Sequence, residues 1–304
     1  MRELVVELAG ALRDEVHPHL GAHAGRAHED ELGEGGDVTF AIDERAESFM
    51  ESFIAERDPS VAFYSEDRGM VAPDGHDPEW VLIVDPIDGT RPALAGLESC
   101  CVSVAAARLG AGEPKMGDVE VGCVIEIKSG ESFVAERGKG VEPAPRLSAN
   151  TEIERMFWTY GLRGRPAMLL MDVLSELVDA SSVGGSTFDL GSATFDMTRL
   201  ITGQLDAYIE PGPRIVDEIP GARDQFEAVG GGAVLNNSPY DLAAAALCLT
   251  EAGAVVTDAH GRPLDDCLLL GSGHDFQMSC VTAANPDLHA AILKSLDTAF
   301  DRLT

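Results

Sequence analysis

The chain has 304 residues and 45% hydrophobic content, enough for one large domain or two closely packed ones. It holds no apolar run of about 18 residues and starts without a secretory pattern, which excludes a spanning helix and points to the cytoplasm. Acids outnumber bases 52 to 22, giving a net charge of −30, a balance that argues against nucleic acid or membrane partners.

Leu4, Leu8, Ala11, Leu12 and Val16 recur at helical spacing and predict a first helix over residues 3–20. Residues 21–36 are rich in Gly, His and Glu and read as a mobile loop. His17 and His19 read as surface histidines near the helix end, not as metal ligands. An amphipathic helix is expected over about Asp43–Ala55, running through Phe49 and Phe53. Val61–Tyr64 and Val81–Val84 read as strands, and Val102–Leu109, Val119–Lys128 and Ser132–Glu136 as antiparallel strands around turns. Residues 140–152 look like a connection, and Ala167–Val178 like a helix.

After Val183-Gly184-Gly185-Ser186 a second unit is expected. It holds a helix through Thr202, a strand at Leu205–Glu210, an alanine-rich helix after Asp241, strands at Ala254–Asp258 and Leu268–Gly271, and a last helix from Pro286. This alternation predicts α/β architecture with a mostly parallel sheet. The expected division is an α+β domain over residues 1–183 and an α/β domain over 184–304, with no internal repeat. The six cysteines form no Cys-x-x-Cys pair and read as reduced, packed thiols.

The segment Asp85-Pro86-Ile87-Asp88-Gly89-Thr90 follows the apolar run Val81–Val84 directly. It places two carboxylates and a hydroxyl on a turn fixed by Pro and Gly, an arrangement suited to hard divalent cations and equally to a capped turn. Three further acids lie elsewhere: Glu66 at the end of the Val61–Tyr64 strand, Asp43 at a helix start, and Asp241 at the N-cap position of the alanine-rich helix. The last two positions suit an acid with or without a metal.

In combination these segments resemble the inositol monophosphatase and fructose-1,6-bisphosphatase superfamily of metal-dependent, lithium-sensitive phosphatases. The family pattern is an Asp (Asp43 here), a Glu-Glu or Glu-Asp pair (Glu66-Asp67), Asp-Pro-(Ile/Leu)-Asp-Gly-Thr (residues 85–90), and Trp-Asp before an alanine-rich helix. Tyr240-Asp241 stands at the last position. The resemblance covers nearly the whole chain and implies a layered α-β-α-β-α sandwich, two or three Mg²⁺ ions replaceable by Mn²⁺, and a homodimer. It implies that Glu66, Asp85 and the Ile87 carbonyl hold a first metal, and that Asp85 bridges to a second completed by Asp88 and Asp241. Glu66 and Thr90 would orient the attacking water, with Thr90 paired to Asp43. Asp88, Gly89, Thr90, Gly191, Ser192 and Glu210 would meet the substrate, Glu210 at its hydroxyls.

Three departures stand against the family pattern: Tyr240 for tryptophan, Arg91-Pro92-Ala93 after Thr90, and an insertion over residues 211–238. The insertion is expected as a lid or rim. Its Arg214 and Arg223 would either clamp a second phosphate or pair with Glu218, Asp224 or Glu227. The implied activity is Mg²⁺-dependent hydrolysis of a small phosphorylated polyol or sugar, such as inositol monophosphate or fructose 1,6-bisphosphate. The runner-up is an adenosine 3′,5′-bisphosphate 3′-phosphatase. The alternative of another class is a non-catalytic metal-binding or assembly protein, expected to have lost one of Glu66, Asp85, Asp88, Thr90 or Asp241; none is missing. The acids are spread along the chain and lysine is confined to Lys115, Lys128, Lys139 and Lys294. That composition reads as adaptation to molar salt, where a Debye length of about 3 Å removes self-repulsion, and suggests a haloarchaeal cytoplasm.

Overall fold

The structure, a computed structural model, describes the chain except residues 23–27, 33–37, 74 and 76. In the first half, helix α1 (Arg2–Val16) is followed by a ribbon of β1 (His28–Leu32) and β2 (Val38–Phe40), then α2 (Ala41–Arg57). Next come β3 (Ala62–Ser65), β4 (Gly69–Val71), β5 (Trp80–Asp88), the short helix α3 (Thr90–Ala95), β6 (Cys101–Arg108), β7 (Val119–Glu126), β8 (Ser132–Glu136) and β9 (Gly140–Glu142). These seven strands form one sheet in the order β4-β3-β5-β6-β7-β8-β9, antiparallel throughout except for the β3–β5 pair. Part of the expected loop over 21–36 is therefore a paired strand, and its other residues from 23 to 27 and 33 to 36 lie outside the described ones.

The second half contains β10 (Phe157–Tyr160), α4 (Ala167–Ser181), β11 (Ser186–Phe188), α5 (Ala193–Ile201), β12 (Ala207–Glu210), α6 (Gly212–Glu218) and α7 (Ala222–Val229). It continues with α8 (Pro239–Ala252), β13 (Val255–Thr257), β14 (Cys280–Ala283) and α9 (Pro286–Leu303). Five strands form a second sheet in the order β11-β10-β12-β14-β13. The pairs β11–β10 and β10–β12 are parallel, but β14 is antiparallel to both its neighbours. The expected parallel sheet is thus half antiparallel, because no crossover helix joins β13 to β14 and the chain returns along the sheet in the opposite direction. Leu268–Gly271, expected as a strand, makes only a single bridge from Leu268 to Lys115. The chain changes sheets between Glu142 and Phe157, well ahead of the boundary expected near residue 183.

Alternation along the strands sets the layers. Val102, Val104 and Ala106 of β6 face α1 and α2, whereas Cys101, Ala105 and Ala107 face the opposite way, toward α5 and α8. The inner face of the five-stranded sheet, through Tyr208 and Cys280, joins that same central core. Its outer face packs against α4, α6, α7 and α9 around Trp158 and Phe226. The result is the α-β-α-β-α sandwich, with α5 and α8 as the middle layer. Helix α8 is buried nearly all round, as a helix walled by two sheets must be. Small residues let it lie close: a Cβ on Gly122 of β7 would come within 2.8 Å of the Ala244 carbonyl oxygen. All six cysteines are free and all but Cys267 are buried, with burial raising each thiol pKa. Among the described residues no helix is long and apolar enough to cross a membrane.

Candidate active site

Strand β5 carries buried Val81–Val84 into the Asp85–Thr90 segment, where its pairing with β6 slips between Asp85 and Asp88. Asp85 Oδ1 accepts the Ile87 N–H at 2.9 Å, which closes the turn and keeps the carboxylate where the strand ends. Gly89 has φ 88°, and a Cβ there would meet the Ser99 carbonyl oxygen at 2.6 Å and Ser192 Cβ at 2.9 Å. Both the conformation and the crowding demand glycine. Thr90 then opens α3, its hydroxyl 3.0 Å from Asp43 Oδ1 and 3.2 Å from the Ile87 carbonyl oxygen. Asp43 is the third residue of α2, and its other oxygen accepts the Phe40 N–H at 3.0 Å. One acid therefore caps a helix and fixes the threonine.

Asp241 is also a third helical residue and not the N-cap expected: Ser238 caps α8, and the Asp241 carboxylate accepts the Ser238 N–H at 2.6 Å. The N-terminus of α5 arrives from the other side. Asp88 Oδ2 accepts the Ser192 hydroxyl at 2.7 Å and the Thr194 N–H at 2.6 Å, and the Thr194 hydroxyl as well. Ligand oxygens of Asp85, Asp88 and Asp241 lie within 4.8 Å of one another. Glu66, Ile87, Gly89, Thr90 and Gly191 line the same cavity as these three acids.

Electrostatics defines what this cluster needs. Burial pushes Glu66 well above the usual carboxylate range, reinforced by Asp241 and Asp43. Burial does the same to Asp85, reinforced by Glu66 and Asp88. Asp241 is pushed up to about 7 by burial and then by Asp88. Asp88 is raised by burial, with the Thr194 and Ser192 bonds acting against the rise. Carboxylates crowded this way stay ionised only beside cations, and an all-oxygen donor set without thiol or imidazole suits a hard divalent ion.

A second cavity adjoins the first, sharing Asp88, Arg163, Gly191 and Asp241, and extending past Ser192 to Arg165, Asp189, Tyr208 and Asn237. Glu210, expected at substrate hydroxyls, lies fully buried behind this wall. Its carboxylate is ion-paired with Arg165 at 2.6 Å and accepts the Gly212 N–H at 2.6 Å. Arg165 faces the cavity in its place and also bonds the Arg163 carbonyl oxygen at 2.6 Å and Asn237 Oδ1 at 3.3 Å. The insertion, expected as a lid or rim, folds into the two helices α6 and α7, which pack on the outer face of the five-stranded sheet through Ile215, Val216 and Phe226. Arg214 within it is buried, bonded to Asp297 at 2.8 Å and Glu218 at 3.2 Å, and stacked 4.0 Å from the Phe300 ring centre. Arg223 lies 3.9 Å from Glu227 on the surface. Of the two readings open for these arginines, the structure shows the pairing: each has an acid of its own helix one turn away, Glu218 for Arg214 and Glu227 for Arg223. Arg163, Arg165, Thr194 and Asn237 escaped the sequence reading. The run Gly161-Leu162-Arg163-Gly164-Arg165-Pro166, two arginines among glycines in an acidic chain, was the available signal.

Clustered carboxylates beside small-residue amides, set between two sheets of this layered fold, define a phosphatase. The model of the inositol monophosphatase family matches residues 1–300, and the chain belongs to that family. It is 26% identical to an inositol-1-monophosphatase of Mesorhizobium japonicum, over 86% of this chain and 83% of the relative. It is 25% identical to a fructose-1,6-bisphosphatase/inositol-1-monophosphatase of Methanothermobacter thermautotrophicus, over 88% and 86% of the two chains. The solved structure of a Thermotoga maritima IMPase superposes with a TM-score of 0.71 at 20% identity, covering 99% of this chain and 98% of that one, which establishes the shared fold.

Proposed function

We propose that the chain hydrolyses phosphate monoesters of small polyols or sugars, inositol monophosphate and fructose 1,6-bisphosphate being the leading candidates, with two or three Mg²⁺ ions replaceable by Mn²⁺. The observation that carries this reading is the convergence of Asp85, Asp88 and Asp241 within 4.8 Å, in one cavity with Glu66 and the Gly89-Thr90 backbone. Glu66, Asp85, the Ile87 carbonyl, Asp88 and Asp241 would hold the cations. Bound there, the ions supply neutralisation of phosphate oxygens and a more acidic water.

The remaining work falls to this chain's own groups. Glu66 and the Thr90 hydroxyl orient the attacking water, and Asp43 holds that hydroxyl through its 3.0 Å contact. The amides of Gly89 and Thr90, at the start of a helix, take phosphate oxygens. Ser192 and Thr194 hold Asp88 by one oxygen, which fixes the direction of its carboxylate. Gly191, Ser192 and the Arg165 side of the second cavity bound the alcohol part of the substrate, with Glu210 acting through Arg165. The acidic composition and scarcity of lysine support a salt-rich, haloarchaeal cytoplasm, and the family resemblance supports a homodimer.

A panel of phosphate esters assayed with Mg²⁺ in molar KCl tests the reading. Phosphate release from a sugar or polyol phosphate, abolished by EDTA, is expected. No release from any ester, or hydrolysis indifferent to EDTA, would overturn it.

A further inference from the structure

Helix α2 does more than carry Asp43. One turn further on, Glu47 is 1% exposed, and its carboxylate receives two donors from the turn after β3: the Ser65 hydroxyl at 2.8 Å and the Asp67 N–H at 3.2 Å. Glu44 beside it takes Arg68 in a bidentate pair at 2.7 and 2.9 Å. Thr39, just before the helix, donates to the Asp67 carboxylate at 2.8 Å. Residues 65, 67 and 68 are thus each tied to α2 side chains, and the remaining residue of the turn, Glu66, lines the acid cavity.

A carboxylate is costly in this place. Burial raises Glu47 to about 7, against the Ser65 and Asp67 bonds that lower it. An apolar side chain would fill the volume without that cost. What an apolar group, or an amide, lacks is two acceptor oxygens for two converging donors. The Ser65 oxygen in turn lies 3.3 Å from the Arg68 N–H as its acceptor, so its own proton is left for Glu47.

We propose that Glu47 is a positioning residue of the phosphatase site: by clamping Ser65 and the Asp67 amide, it holds Glu66 in cation-binding register with Asp85. Asp43 sits one turn earlier on the same helix and fixes Thr90, so α2 acts as a ruler between the two loops that meet at the cluster. The proposal rests on the cation site proposed above.

The test is Mn²⁺ binding followed by electron paramagnetic resonance, alongside steady-state kinetics and the melting temperature of the metal-free protein. Glu47→Gln keeps the shape but turns an amide NH₂ toward a donor. It should weaken Mn²⁺ binding about tenfold, the usual size of an outer-shell effect, and lower kcat. Its KM for substrate at saturating cation should stay close to wild type, and its Mn²⁺ affinity is read well below its metal-free melting temperature, which falls by a few degrees for the donor left unpaired. Ser65→Ala removes one of the two bonds and should shift Mn²⁺ affinity in the same direction by less, and it decides the matter if Glu47→Gln does not fold. Glu66→Gln is the control. If it weakens Mn²⁺ binding while folded Glu47→Gln and Ser65→Ala bind like wild type, the clamp is wrong and the site stands. If Glu66→Gln binds like wild type, the site reading itself has failed.

Discussion

The wall of the cleft built by β3, β5 and α3 presents acids and main-chain groups. The wall built by β10, β12 and residues 236–237 presents Arg163, Arg165, Asp189 and amides. On the first wall like charges crowd together, and every carboxylate sits above its ordinary pKa. On the second, burial raises Asp189, Asp196 and Glu210 too, but a paired cation stands against it: Arg165 opposes the rise at Glu210 and Asp189 and is ion-paired with Glu210 at 2.6 Å. The contrast separates two jobs. A wall left electrostatically incomplete calls for an external cation. A wall balanced within the protein bounds a neutral or mixed-charge group by shape and hydrogen bonds.

The largest expected effect tests the incomplete wall. Asp88→Asn should keep the fold and lower kcat by about 10³-fold, the several kcal/mol of charge stabilisation that a lost ligand removes. Near-wild-type turnover in that variant would dissolve the distinction between the walls. Arg165→Met attacks the balanced wall and should act on stability first. Leaving Glu210 buried and unpaired costs about 3 kcal/mol, and adding Glu210→Gln should recover much of it. Chemical denaturation of the single and double variants checks this; equal losses in both would show that the pair is not coupled.

A smaller effect comes from pH. In the metal-free protein Glu47 and Asp241 release protons near 7, whereas the unfolded chain releases them near the ordinary values of 4.5 and 3.8. Between those limits the native state binds more protons, so stability should fall as pH rises. The metal-free melting temperature should therefore be several degrees higher at pH 5.5 than at 7.5, and Mg²⁺ should narrow the difference by favouring the ionised cluster. A metal-free protein more stable at pH 7.5 would contradict this. The smallest shift concerns salt: lowering KCl from about 3 M to 0.1 M lengthens the Debye length from roughly 2–3 Å to 10 Å and should lower the melting temperature. An unchanged value would remove the case for a salt-rich setting.

What could be read from the sequence follows the same division. Asp85–Thr90 was legible because its two carboxylates and hydroxyl lie within six residues, so their spacing is visible without a fold. From local pattern Asp43 and Asp241 were legible only as helix-start acids, and their place in the site came from the resemblance to the family. The structure places each in a cap and in the site at once, a double use that no local pattern separates. The Arg165–Glu210 pair was not legible, since its members are brought together only by the parallel β10–β12 register. Helices α6 and α7 were missed because they are short and punctuated by proline and glycine, which reads as loop. The antiparallel return of β14 follows from a connection without a crossover helix, and regular alternation of elements concealed it.

The shared middle layer has a consequence for synthesis on the ribosome. The seven-stranded sheet is complete by Glu142, yet the face bearing Tyr64, Ile83 and Ala105 is covered by α5 and α8, and α8 ends only at Ala252. At about 5–20 residues per second, the roughly 110 residues between them take about 5–20 s to emerge. Through that interval the nascent chain carries an uncovered apolar sheet face, whose partners α5 and α8 are made only later.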